Sequence, residues 1–218
     1  MGSSFLQLLV LAGIAIFLIL KLRSVLGTRD GFEKPPVPLD QARPRLVDVN
    51  APSGPDDTDI TDYVPAGSPS ALALTQIKQI EPAFSVREFL GGARGAYEMI
   101  LMAYEHGDLD QIRPFLTDEV EESFGAAIAE REAKGLTFEA KFSGIKEMTL
   151  DEVRFDPVTK FAELTLRFTG ELSVLVRNKA GEIVDGSATA IKRQRDLWTF
   201  ERQIGAADPN WQLSATGD

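Results

Sequence analysis

The fold class this sequence predicts is α+β: helices packed on one face of an antiparallel sheet, behind one transmembrane helix and a disordered linker. Three observations predict it. An apolar run opens the chain, and eight of the twelve prolines fall between Thr28 and Ser70. Beyond Ser70 a helical hydrophobic period gives way, near Leu136, to a period of two. The expected divisions are residues 1–27, an anchor; 28–70, a linker; and 71–218, a folded domain.

The anchor comes first. From Phe5 to Leu20 only Gln7 is polar. Sixteen helical residues reach roughly 24 Å, short of a hydrocarbon core of about 30 Å. Extension to Leu26 gives about 33 Å, provided that Lys21 and Arg23 lay their stems along the apolar surface and keep their charges at the headgroups. No cation precedes the run and no small-residue cleavage site follows it, so a removed export signal is not expected. The cations beyond the run place its exit on the cytoplasmic side, with the amino terminus outside.

Residues 28–70 follow with four cations against eight acids. Their proline density leaves no helical or strand period. A flexible chain of that length reaches about 35 Å on average, which suits a tether.

Helices open the domain. "ALALTQIKQIE" is one short helical run, stopped by Pro82. In "FSVREF", Ser85 and Glu88 make a capping box, and Phe84 and Phe89 stand at the staple positions. The set Phe89, Leu90, Ala93, Tyr97, Ile100, Leu101 and Tyr104 then keeps a 3.6 period up to Gly107. Gly91, Gly92 and Gly95 within it each cost about 1 kcal/mol relative to alanine, and are expected to permit close packing against a neighbour. A short helix is predicted around Leu109–Phe115. Another starts after Thr117, has Asp118 and Glu119 in its first turn, and stops at Lys134–Gly135.

Strands follow. "LTFEAKF", "EMTLDEVRF", "FAELTLRFTGELSVLV" and "LWTFERQI" alternate, the last after the run "IVDGSATAIKRQR". "DPVTK" and "NKAGE" join neighbours as hairpins. Alternation directs Ala162, Leu164, Leu166 and Phe168 toward the helices, and Thr165 and Arg167 outward. Trp198 and Phe200 share a face by the same rule.

The chemistry available is narrow. There is no cysteine, and His106 is the single histidine. That histidine ends a helix, where it suits the carbonyl terminus. No phosphate loop, dinucleotide fingerprint or nucleophile elbow occurs. No carboxylate holds an apolar strand position that sequence alone defends. An enzyme is therefore not expected, nor any metal or cofactor. From Ala71 onward there are 17 lysines and arginines against 25 acids, which disfavours nucleic acid as a partner. Lys192, Arg193 and Arg195 cluster in "IKRQRD" as a candidate docking patch for an acidic partner or lipid headgroup, or simply a solvated strand. Trp198, Phe200 and Trp211 are core and edge aromatics or, alternatively, pocket lining.

The carboxy-terminal run "WTFERQ…DPNWQL", behind a helical half and a meander, resembles the carboxy-terminal domain of the Tim forty-four family, named for the subunit that tethers the mitochondrial import motor. "LILKLRSVLGTRDGFEKPP" is similar to the membrane segment of bacterial members. The resemblance implies a cone like that of nuclear transport factor two, with a hydrophobic pocket, in a bacterial inner-membrane protein. Trp198, Phe200, Arg202, Asp208, Pro209, Asn210 and Trp211 match the terminal motif. It further implies an adaptor that recruits protein partners to the bilayer, in protein translocation or membrane-protein assembly. Two alternatives stand beside it: a ribosome or nascent-chain tether, and a pocket for a lipid or small hydrophobe. The family's long chaperone-binding region is replaced here by the acidic linker. The sequence fixes no oligomeric state.

Overall fold

The computed structural model describes residues 58–217. Phe5, Leu20, Lys21 and Arg23 of the expected anchor, and most of the linker, lie outside them. Among the described residues no helix is long and apolar enough to cross a membrane.

Helix α1 (Thr58–Thr61) is followed by α2 (Pro69–Ile80), α3 (Val86–His106), a 3-10 turn (Arg113–Phe115) and α4 (Asp118–Ala133). The strands are β1 (Thr137–Phe155), β2 (Phe161–Arg177), β3 (Ile183–Gly186), β4 (Lys192–Gln203) and β5 (Gln212–Gly217). The antiparallel sheet runs β1-β2-β4-β5, with β3 added to the far end of β2. Helices α2 and α3 pack on β1. Helices on an antiparallel sheet are thus what the change of period predicted.

Local signals explain most of the boundaries. Ser68 caps α2 by accepting from Ala71 N, and Ser85 caps α3 by accepting from Glu88 N. Phe84 and Phe89 meet at 6.5 Å, as a staple requires. Gly107 ends α3 at φ +76°, a conformation open to glycine without strain. Ala162, Leu164, Leu166 and Phe168 are fully buried against the helices, while Arg167 is exposed. Phe168 stacks on Tyr97 at 4.3 Å, so this face of β2 and the inner face of α3 form the core.

Four expectations change. The runs at Thr137–Phe142 and Glu147–Phe155 form one strand, because β2 pairs continuously along both and β1 absorbs the surplus residues in three bulges. The helix around Leu109–Phe115 shrinks to a 3-10 turn. The three glycines of α3 are exposed, and a Cβ added at any of them meets no atom within 4 Å, so close packing is not their role. The folded domain also starts earlier than its proline content suggests: Ile60 and Val64 belong to the core.

That early segment is fastened by Asp59. Its carboxylate accepts from Lys78 Nζ at 2.7 Å, Val86 N at 2.9 Å and Arg87 N at 3.2 Å. Burial pushes the Asp59 carboxyl up, but these donors outweigh it and hold the group below the usual carboxylate range.

Three predictions concern stability. Gly91→Ala and Gly95→Ala each raise unfolding free energy by about 0.5–1 kcal/mol in urea titrations. Gly170→Ala lowers it by about 1–3 kcal/mol, because its Cβ falls 2.9 Å from the Tyr97 hydroxyl. For Asp59 the folded pKa lies below the unfolded value, so its stabilisation is complete at neutral pH and fades as pH falls through the folded pKa. The stability gap between wild type and Asp59→Asn therefore closes below about pH 4, as read by unfolding midpoints from pH 7 to pH 2.5.

Candidate functional site

The first turns of α3 set Glu88, Gly92 and Ala96 in a row four residues apart. This row opens on a cavity of about 240 Å³. Phe89 and Ala93 of α3, Phe115 of the 3-10 turn, Phe200 of β4 and the Pro209–Asn210–Trp211 loop complete its lining. Glu88 and Asn210 are the polar members and the rest is apolar. Gly92 now has an explanation, because the space that its missing side chain leaves belongs to the cavity.

A cluster of rings holds the wall. Trp211 lies 4.9 Å from Phe89, edge to face, and 6.0 Å from Phe84; Phe89 meets Phe200 at 6.1 Å. Arg202 fixes Trp211 from the side. Its guanidinium pairs with the Glu81 carboxylate, donates to Pro209 O at 3.5 Å, and sits 5.0 Å from the centre of the Trp211 ring. The other Glu81 oxygen accepts from Gly205 N at 2.7 Å. One carboxylate at the end of α2 thus ties down both sides of the turn that carries "DPNW". Gln212 adds a tie to the 3-10 turn, donating to Leu116 O at 2.9 Å.

Beyond this cavity the core holds a polar pair. The Tyr97 hydroxyl donates to Asp196 Oδ2 at 2.5 Å, and Gln194 donates to the other oxygen at 2.9 Å. Burial, then the Asp196 carboxylate, pushes the Tyr97 phenol far above its ordinary range, so it remains a donor. Sequence alone defended no carboxylate at an apolar strand position, yet Asp196 occupies one and is buried. It lies two residues before Trp198 and four before Phe200, so the alternation carried the signal.

The residues singled out in the sequence divide into three groups. Phe200 and Trp211 line the cavity, and Arg202 braces it. Trp198 lies deeper, 4.7 Å from Tyr97 and 6.2 Å from Phe200. Strand alternation separates the three cations, with Lys192 on one face of β4 and Arg193 and Arg195 on the other. Arg193 is ion-paired with Glu171, which also holds Lys146 at 3.1 Å. No undivided basic patch forms. Sequence reasoning missed Gly92, Ala96, Phe115 and Glu81, which meet the motif only through the fold.

Comparison with known proteins agrees with the carboxy-terminal motif. The Tim44-like domain matches residues 70–218. The human (Homo sapiens) mitochondrial import inner membrane translocase subunit TIM44 is 25% identical over 143 residues, which are 64% of this chain and 31% of that protein. Subunit TIM44-1 of Arabidopsis thaliana is 24% identical over 153 residues, 66% of this chain and 31% of its own length. The chain therefore spans under a third of these relatives. Among solved structures, the intermembrane space region of chloroplast protein ARC6 aligns with a TM-score of 0.44 at 12% identity, covering 62% of this chain and 97% of that one.

The geometry predicts two effects. Gly92→Leu fills the cavity, and titration with an environment-sensitive apolar dye shows at least a tenfold loss of binding with no loss of thermal stability. Arg202→Ala removes the brace, lowers stability by about 2–3 kcal/mol, and shifts tryptophan emission to the red as Trp211 gains solvent.

Proposed function

The chain belongs to the Tim44-like domain family, and from that premise we propose that it is a membrane-associated adaptor in protein transport. In this reading it acts by binding a protein partner rather than by catalysis. It is held in a bacterial inner membrane by residues 5–26, with the folded domain in the cytoplasm. The observation that carries the reading is the family match across residues 70–218. The cavity supports it. Glu88 is the one titratable side chain in the lining, it is exposed, and no second group there positions or activates it. Such a lining can receive an apolar group and has little with which to transform it.

The antiparallel sheet packed against α2 and α3 suits the cone-like layout implied by the likeness to nuclear transport factor two. A second reading, a pocket for a lipid or small hydrophobe, draws on the same apolar lining. The division of Lys192 from Arg193 and Arg195 weakens the ribosome-tether reading, which had relied on a joint cationic patch.

Affinity capture of the full chain from gently solubilised membranes tests the adaptor reading. Wild type is expected to retain a protein partner in stoichiometric amount. Gly92→Leu should reduce that partner at least tenfold, and Arg193→Glu should leave it unchanged. Equal recovery with Gly92→Leu would remove the cavity from the interaction. Retention of lipid with no protein partner would favour the second reading.

A further inference from the structure

The segment before α2 does more than begin the domain. Residues 58–64 precede the family match, yet they are bound to it at defined points. Ile60 and Val64 are 4% and 5% exposed. Asp59 immediately precedes Ile60, and its carboxylate reaches Lys78 on α2 and the first amides of α3. Lys78 is itself only 9% exposed, and Asp59 is the carboxylate paired with its ammonium.

Helix α1 is four residues long, too short to persist without its contacts. Residues Pro65, Ala66 and Gly67, which join it to α2, are exposed, and Gly67 turns at φ +73°. If the segment leaves, water can reach Lys78 and the freed amides. The core faces of α3 and β2 keep their own packing around Tyr97, Phe168 and Trp198.

The same contacts reach the cavity. Asp59 accepts from Val86 N and Arg87 N, and the next two residues, Glu88 and Phe89, line the cavity wall. Capping by Asp59 orders the first turn of α3, which sets Phe89 against Trp211. We propose that residues 58–64 form a releasable clasp that fastens the incoming chain to the domain and, through the first turn of α3, sets the shape of the cavity mouth. The clasp rests on geometry alone and does not depend on the identity of the partner. It gives the tether a way to alter the binding site without touching it.

Hydrogen exchange on the full chain in detergent tests this. In Asp59→Ala, amides of Ile60–Val64 and Val86–Phe89 are expected to exchange at least tenfold faster, with Leu164–Phe168 of β2 unchanged. Lys78→Met should produce the same pattern to a smaller degree. In wild type, exchange at graded urea concentrations should show the clasp and the first turn of α3 opening together, with a smaller urea dependence than β2. Equal acceleration through β2, no acceleration anywhere, or wild-type clasp amides that exchange only with global unfolding would each overturn the proposal.

Discussion

The guanidinium of Arg202 joins Glu81, at the end of α2 and far away in sequence, to the Pro209 carbonyl and the Trp211 ring of the carboxy-terminal loop. Its side chain is only 9% exposed, so the charge is stable there because Glu81 answers it. A lysine could supply the charge but not the flat surface that faces the indole while the edge donates hydrogen bonds. From this joint the rest of the site follows. Trp211 is held against Phe89, Phe89 against Phe200, and the cavity opens beside them.

The cavity depends on the small residues Gly92, Ala93 and Ala96 where α3 faces Trp211 and Phe115. Glycine in a helix costs stability relative to alanine, and here the missing atoms would meet only open space. A chain selected for stability alone would fill those positions. The core compensates through a continuous chain of rings, Phe84–Trp211–Phe89–Phe200–Trp198–Tyr97–Phe142, with neighbouring centroids 4.7–6.2 Å apart. Tyr97 can sit in that chain because the Asp196 carboxylate accepts the hydrogen bond of its hydroxyl.

Much of this architecture was legible in the residues. The capping signal at Ser85, the alternation along β2 and the "DPVTK" hairpin are local, and local rules settled them. The motif "WTFERQ…DPNWQL" pointed to the right family, and its Arg202 and Trp211 proved to be one interacting unit. What could not be read were relations across the chain. Nothing near Glu81 says that it will meet Arg202, and nothing in "GGARG" distinguishes glycines that admit a neighbour from glycines that leave a hollow. Asp196 was within reach of the period-two rule, but its charge and its place beside Arg195 disguised it as surface. Asp59 was hidden by the prolines around it, since composition averages over a short segment that single contacts can dock.

On the proposed function, the opening beside Gly92 is where a protein partner docks. The most direct measurement places a photo-crosslinking amino acid at position 96, on the cavity rim, and at position 193, on the outer face of β4, in the full chain within native membranes. The account predicts a discrete protein adduct from position 96 and none from position 193. Adducts to lipid alone from position 96, or a protein adduct only from position 193, would contradict it.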